Sequence, residues 1–323
     1  MPHVIRIERA GGPEVMEWVE VPTPVPGQGE ALIRQTAVGL NFVDTYQRSG
    51  LYKIVMPAVL GSEAAGVVEA VGPGVVGIRA GDRVVYQGIN GAYAEVRVVP
   101  AERLICIPDG IDDRTAAAAF LKGVTAHYLL TRTFKVGKQH TILFHAAAGG
   151  VGQIACQWAK ALGATVIGTV GSEAKVALAR ANGCAYVINY AKEDFVERVK
   201  QITGGAGVDV VYDSVGNDTF PASLDCLKPL GLWVSFGNSS GPVPAFPPLL
   251  LQQKGSLFAT RPTTAHYFAT RGELEAAAAA LFAVITDGSV KIAIGQTFAL
   301  KDAAEAHRAL HDRRTTGATV LIP

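Results

Sequence analysis

No proline occurs between residues 109 and 220, although the 323-residue chain contains 17, running from Pro2 to Pro108 and again from Pro221 to Pro323. Proline removes a ladder donor and breaks helix interiors, so this stretch is where uninterrupted helices and central strands can sit. Its hydrophobic pattern agrees. Thr141–His145, Thr165–Val170, Tyr186–Asn189, Val208–Tyr212 and Leu232–Phe236 are short apolar runs, with helix-like segments at 150–163, 173–183, 192–203 and 217–228 between them. Strand–helix alternation with continuous apolar strands predicts an α/β fold built on a doubly wound parallel sheet. Gly255–Thr260 adds one more candidate strand, helix patterns follow at 272–286 and 302–311, and Ala318–Ile322 reads as a final strand.

The proline-bearing amino-terminal part is built differently. Val4–Glu8, Ala31–Val38, Gly66–Val71, Arg83–Gln87 and Ala92–Val99 are separated by Gly-Gly-Pro, Pro-Val-Pro-Gly and Val-Gly-Pro-Gly. Short strands at that spacing predict a small barrel or sandwich. A chain of this length has room for two domains.

Composition narrows the function classes. Glycine is in surplus, 36 of 323 residues, and only 18% of residues are charged while 49% are hydrophobic. That excludes disorder and a coiled coil and leaves a glycine-rich globular enzyme. Lys plus Arg is 29 against 28 Asp plus Glu, a net charge of +1, which offers no electrostatic footprint for nucleic acid. Cys106, Cys156, Cys184 and Cys226 are too scattered for a disulfide framework or a CxxC metal site, and the apolar neighbours of Cys106 and Cys156 predict burial. The amino terminus alternates and carries charge early, so it reads as a strand and not a signal peptide. The longest apolar helix candidate, Leu274–Ile285, is too short to span a bilayer. A reduced cytoplasmic protein is the expectation.

The segment Thr141-Ile-Leu-Phe-His145-Ala-Ala-Ala-Gly149-Gly150-Val151-Gly152 joins a predicted strand to a predicted helix. It matches the dinucleotide fingerprint G-x-G-x-x-G with Ala147 in place of the first glycine. Gly149 would let the backbone approach a pyrophosphate at the helix N-terminus, and Gly152 would let helix and strand pack closely. An NAD site generally has an acid at the end of the second strand, for the ribose 2′-hydroxyl. Here that end reads Gly168-Thr-Val-Gly171-Ser172-Glu173-Ala174-Lys175, with Glu173 falling late enough to open a helix. Ser172 and Lys175 could grip a 2′-phosphate, which predicts NADPH over NADH. The competing reading of Lys175 is an exposed helix lysine.

The chain resembles the quinone oxidoreductase, or zeta-crystallin-like, branch of the medium-chain dehydrogenase/reductase superfamily along essentially its whole length. The pieces that carry the resemblance are Gly39-Leu-Asn41-Phe42-Val43-Asp44-Thr45-Tyr46, Arg48-Ser-Gly-Leu-Tyr52, Phe144 to Gly152, Val211-Tyr-Asp213-Ser214-Val215-Gly216 and Ser235-Phe-Gly-Asn-Ser-Ser240. The resemblance implies a GroES-like, β-rich catalytic domain formed by both chain ends (1–125 and 263–323), a Rossmann NADPH-binding domain (126–262), and a cleft between them. It also implies a homodimer made by antiparallel pairing of edge strands near Gly255–Thr260.

The same resemblance assigns residues. It places Phe42, Val43, Asp44, Thr45, Tyr46, Tyr128, Gly149, Gly150 and Val151 along the cofactor. Gly171, Ser172, Glu173, Ala174, Lys175 and Tyr190 fall around the adenosine phosphate, and Val215, Gly237, Asn238, Ser239 and Ser240 further along. Pro262, Thr263, Thr264 and Arg313 close the far side, with Arg314 as the neighbouring candidate for the last of these. Tyr128 and Tyr190 have the alternative of being ordinary half-buried aromatics.

Zinc is the sharpest discriminator within the superfamily. Zinc alcohol dehydrogenases carry a cysteine and an aspartate in the segment matching Asn41–Asp44, and a histidine before the glutamate matching Glu63. This chain has Asn41 and Ser62 there, so thiolate and imidazole are missing from a tetrahedral site. His307 and His311 lie four apart on a predicted helix with no third ligand, and read as a solvated face. Gly237-Asn238-Ser239-Ser240-Gly241 matches a nucleophile elbow, but Pro242 and Pro244 prevent the helix that motif requires.

The expected activity is zinc-independent reduction of a small-molecule quinone by NADPH. The cofactor carries the hard chemistry, and Asn41, Tyr46 and Tyr52 are the expected acceptor-side groups, with no obligatory acid or base among them. The nearest rival is reduction of an activated C=C bond in an enone or enoyl thioester. A non-enzymatic NADPH-binding protein, crystallin-like or RNA-binding, is a rival from another class.

Overall fold

The computed structural model describes residues 1–323. The chain divides into two compact units. One comprises Met1–Lys122, Thr270–Thr286 and Ile292–Pro323; the other comprises Gly123–Ala269 and Asp287–Lys291.

The second unit holds a six-stranded sheet, all of its pairings parallel, in the spatial order Tyr186–Asn189, Thr165–Val170, Thr141–Phe144, Val208–Asp213, Leu227–Ser235, Phe258–Thr260. By sequence that order is 3-2-1-4-5-6, the doubly wound arrangement. The inner strands are buried on both faces: Ile142, Leu143, Val166, Ile167, Val210 and Val211 expose nothing. That is why they read as unbroken apolar runs. The helix Phe195–Thr203 starts three residues later than the pattern suggested because Asp194 caps it, accepting from the N–H of Val196 (2.8 Å) and Glu197 (3.2 Å). It ends at Gly204 in the left-handed conformation.

The helix expected over 217–228 is not there. Only a 3-10 turn, Ala222–Cys226, forms, and Leu227 already belongs to the next strand. Pro221 lacks a donor N–H, and the N–H groups of Asn217 and Asp218 are drawn to the next loop, donating to the Gly241 carbonyl (3.2 Å) and the Ser240 hydroxyl (3.0 Å).

The first unit is β-rich. Its seven-stranded sheet runs Ile294–Ala299, Ala318–Ile322, Glu30–Leu40, Glu63–Val71, Arg83–Gln87, Ile105–Cys106, and Val96–Pro100 pairs with Glu30–Leu40 as well. The 11-residue strand Glu30–Leu40 serves three partners along its length, all antiparallel. A small sheet of Glu17–Glu20, His3–Ile7 and Ala58–Val59 adds Ile5 and Ile7 to the same core as Ile33, Val84, Tyr86 and Tyr93. The carboxyl-terminal segment contributes Leu300, Ala303, Ala306 and Leu321 to that core.

Two features depart from expectation here. Cys106 is exposed, whereas Cys156 is buried as its apolar neighbours suggest, and Cys184 and Cys226 are buried too. It lies in a two-residue strand whose alternation turns Ile105 and Ile107 inward and Cys106 outward. The helix Asp113–Tyr128 was not among the expected elements. Ala116, Ala117, Ala118 and Ala119 are fully buried in it, and an alanine run has no hydrophobic periodicity to read.

Candidate functional site

In an open parallel sheet, ligands bind outside the carboxyl ends of the strands, where the strand order reverses. That point lies between Thr141–Phe144 and Val208–Asp213. The turn after Thr141–Phe144 opens the helix Gly150–Ala161. Its tight bend is made by Ala146 at φ 55°, not by Ala147, the residue aligned with the missing first glycine. A Cβ on Gly152 would lie 2.4 Å from the Ala146 carbonyl oxygen, so only glycine fits where helix and turn pack. Gly149 caps the helix without any side-chain hydrogen bond, and Gly149, Gly150 and Val151 are half-buried. The first-turn N–H groups of a helix have no partner within it. These residues therefore fit an anionic pyrophosphate.

The second strand ends at Val170, followed by Gly171, Ser172 and a 3-10 turn, Glu173–Lys175. The Tyr190 hydroxyl lies 2.5 Å from where a Cβ on Gly171 would be, so the two expected residues pack together. Glu173 accepts from Lys192 Nζ (2.8 Å) and Asn189 Nδ2 (3.3 Å). The bond from Lys192 above all holds its carboxyl below the ordinary range. Its negative charge is engaged there, which leaves Ser172 and Lys175 as the groups suited to a 2′-phosphate.

Beyond the switch point, Asp213 ends its strand fully buried. Its carboxylate accepts from the hydroxyls of Thr219 (2.8 Å) and Ser223 (2.9 Å), the N–H of Val215 (2.9 Å) and Gly216 (3.1 Å), and Trp233 Nε1 (3.4 Å). Burial alone would raise its pKa. His145, Thr219, Gly216 and Ser223 together bring it below the ordinary carboxylate value. The sequence motif Val211-Tyr-Asp213-Ser-Val-Gly216 carries Asp213 without assigning it a role. The signal for it in the sequence is an acid closing an apolar strand run three residues before Gly216.

The remaining expected residues of this unit divide. Val215 is nearly buried, while Asn238, Ser239 and Ser240 are half-buried and follow the strand Leu227–Ser235 directly. Pro262, Thr263 and Thr264 lie just past the edge strand. Tyr128 is covered: Tyr267 stacks on it at 4.4 Å with an interplanar angle of 15°, and Phe268 packs against its edge. Its ring is a packed aromatic, more deeply buried than the half-buried alternative expected for it.

In the first unit the helix Phe42–Ser49 follows the strand Glu30–Leu40. Asn41 precedes it and donates from Nδ2 to Glu63 Oε2 (2.9 Å), while Lys122 Nζ reaches the same oxygen (3.1 Å). Asp44 has no exposed surface. It accepts from the Asn41 N–H (2.9 Å), the Ser62 hydroxyl (2.7 Å) and the Tyr93 hydroxyl (3.1 Å). Burial nonetheless pushes its pKa up to about 6. Asp44 thus anchors the helix and does not offer its side chain to a cofactor. Phe42, Tyr46 and Tyr52 form an aromatic cluster, with Tyr46 and Tyr52 at 5.2 Å edge to face, and Phe42 and Tyr52 are each 37% exposed. Val43 and Thr45 are half-buried beside them.

His307 corrects the expectation of a solvated face. It is fully buried, with Nδ1 2.9 Å from Arg48 Nη1 and Nε2 2.9 Å from the Tyr93 hydroxyl. Burial, with the Arg48 charge, lowers its pKa to about 3. His311 does lie outside, its side chain 80% exposed. Arg314 is engaged by Glu305 and Asp312, and Arg313 stands next to it in the left-handed conformation at φ 58°. No three His, Cys, Asp or Glu side chains converge as metal ligands. Where zinc dehydrogenases place a thiolate and an imidazole, Asn41 and Ser62 direct donors into the two carboxylates.

A 3-2-1-4-5-6 parallel sheet with a glycine-rich turn, in a chain with a separate β-rich unit, defines a two-domain dinucleotide-dependent dehydrogenase or reductase. The comparisons with known proteins agree. Residues 27–109 match the family model "Alcohol dehydrogenase GroES-like domain", and residues 150–281 match "Zinc-binding dehydrogenase". The chain is 54% identical to a quinone oxidoreductase of Salmonella typhimurium over 99% of both chains. It is 46% identical to a 2-haloacrylate reductase of Burkholderia sp over 98% of both. The Escherichia coli quinone oxidoreductase solved in complex with NADPH is 51% identical and superposes with a TM-score of 0.98 over 99% of this chain and 100% of that one. The chain belongs to the quinone oxidoreductase branch of the medium-chain dehydrogenase/reductase superfamily.

Proposed function

We propose that this protein is a zinc-independent NADPH:quinone reductase. The observation that carries the reading is the full-length likeness, 51% identity and a TM-score of 0.98, to a quinone oxidoreductase solved with NADPH. Bound NADPH supplies the hydride. The first turn of the helix Gly150–Ala161 binds the pyrophosphate through backbone N–H groups, and Ser172 and Lys175 bind the 2′-phosphate. Asn41, held by Glu63, and the aromatic pair Tyr46 and Tyr52 orient the acceptor. In this reading residues 1–125 and 263–323 are the catalytic domain and 126–262 the NADPH-binding domain, with Arg313 as the cofactor-side arginine.

The protein acts as a cytoplasmic homodimer in this reading. The edge strand Phe258–Thr260 supports it: Phe258 is 61% exposed, and Leu230, whose N–H donates to the Gly255 carbonyl (2.9 Å), is 66% exposed. An open edge with apolar side chains is suited to strand pairing. No helix is long and apolar enough to cross a membrane, and all four cysteines are free.

The likeness to a 2-haloacrylate reductase favours a second reading, reduction of an activated C=C bond with the same cofactor. Following NADPH oxidation with a panel of quinones and activated alkenes separates the two. Steady-state kinetics with NADPH and NADH test the cofactor. We expect a clear preference for NADPH that Lys175→Ala reduces by about tenfold or more. Equal efficiency with both nucleotides in the unaltered protein would overturn the assignment.

A further inference from the structure

The sheet's two halves meet different parts of a dinucleotide. The half with the glycine-rich turn and the acid-free second strand takes the adenosine side, so the strands Val208–Asp213, Leu227–Ser235 and Phe258–Thr260 serve the nicotinamide side. The loops that leave these strands, 214–218 and 236–241, have no helix or strand of their own. They are bonded to each other instead. The Ser239 N–H donates to the Ser214 carbonyl (3.1 Å), the Ser240 N–H to the Val215 carbonyl (2.9 Å) and the Asn217 N–H to the Gly241 carbonyl (3.2 Å). A Cβ on Gly237 would lie 2.5 Å from the Ser214 carbonyl oxygen, so the two backbones touch.

One side chain fixes this pair of loops to the sheet. Asp213 holds the Val215 and Gly216 N–H groups from below and Thr219 from the side, and its own carbonyl accepts from the Phe236 N–H (2.8 Å). Its carboxylate is itself tied across the sheet. Ser223 bridges Asp213 to His145 Nε2 (3.1 Å), and His145 Nδ1 lies 2.9 Å from the Thr169 hydroxyl. The network therefore joins the carboxyl ends of three adjacent strands, and Trp233 adds a fourth.

We propose that Asp213 is a positioning residue for the nicotinamide half of the cofactor, acting through the 214–218 turn on Ser239 and Ser240. Asp213 does not touch the cofactor itself. It sets where the loop backbone stands through its direct bonds to Val215, Gly216 and Thr219, whereas the adenosine side is bound by other residues, Gly149–Gly152 and Gly171–Lys175. This inference rests on the NADPH reading above.

The test is calorimetric titration of the full chain with NADPH and, separately, with adenosine 2′,5′-bisphosphate, which carries the adenosine half alone. Asp213→Asn and the near-isosteric Thr219→Val should each weaken NADPH by about tenfold or more, while changing adenosine 2′,5′-bisphosphate by less than about twofold. Thr219→Ser, which keeps the hydroxyl, should restore NADPH affinity. Equal losses for both ligands, or unchanged NADPH affinity in Thr219→Val, would overturn the proposal. An unaltered chain that bound neither ligand would overturn the NADPH reading and the inference with it.

Discussion

Each of the two units buries one aspartate at the end of a polar chain, and the two carboxyls titrate in opposite directions. In the first unit, Arg48 has only donors, so His307 Nδ1 accepts, Nε2–H donates to Tyr93, and Tyr93 donates to Asp44. In the second, the Ser223 hydroxyl donates to Asp213, which makes His145 Nε2 the donor to Ser223 and leaves Nδ1 to accept from Thr169. Both acids lose water. Asp44 has three donors and rises to about 6; Asp213 has two backbone N–H groups, two hydroxyls and an indole, and falls below its ordinary value. Burial sets the cost at both sites, and at Asp213 His145 first, with the Thr219, Gly216 and Ser223 donors, turns the balance the other way.

The most severe way to probe that difference is to delete each carboxylate. Asp213→Ala strands fixed backbone and indole donors at about 1–3 kcal/mol each before relaxation, so we expect a loss of roughly 3–5 kcal/mol in urea unfolding. Asp44→Ala should cost less, roughly 2–3 kcal/mol, because the Ser62 and Tyr93 hydroxyls can rotate toward other partners. An equal cost at both positions would remove the donor-number argument.

A gentler probe is pH. The folded pKa of Asp44 is raised, so its favourable contribution is present in acid and is lost as pH rises from 3.8 toward about 6. His307 is depressed from 6.5 to about 3, so its contribution is present above 6.5 and is lost as pH falls. The two oppose each other between these values. Asp44→Asn leaves His307 unopposed, and its stability should fall on acidification from pH 6 to 4 more steeply than that of the unaltered protein, by about 1.4 kcal/mol per pH unit. Parallel stability–pH curves would sink the assignment of Asp44.

The smallest effect lies beside the second network. Ala146 holds the left-handed conformation immediately after His145. Ala146→Gly should relieve that strain and raise stability by about 0.5–1 kcal/mol in denaturant unfolding, with the His145 bonds unchanged. A loss of stability would show that the alanine methyl contributes packing that outweighs the strain.

The contrast between the units also marks what could be read from the chain. The strands Thr165–Val170, Tyr186–Asn189, Arg83–Gln87 and Ala318–Ile322 appear with the bounds their apolar runs suggested, because a strand buried on both faces or alternating against a core writes its period into sequence. The glycine-rich turn was legible for the same local reason. The helix Asp113–Tyr128 was not, since buried alanines resemble nothing periodic, and the 217–228 segment has a helical pattern, but Asn217 and Asp218 bond the 240–241 loop and Pro221 has no N–H to give. The histidine relays that lead to each buried acid join residues far apart along the chain. His307 is 259 residues from Arg48 and 214 from Tyr93, and His145 is 78 from Ser223.

By itself, then, the sequence determined the class of sheet, the family and the turn that suits a pyrophosphate, because each depends on residues adjacent along the chain. Only the tertiary structure decided that Asp44 is an internal anchor, that Tyr128 is covered by Tyr267, that His307 faces the core and that Asp213 ties four strand ends together. Hydrogen bonds and burial depend on distances in space, and a linear pattern fixes those only within an element.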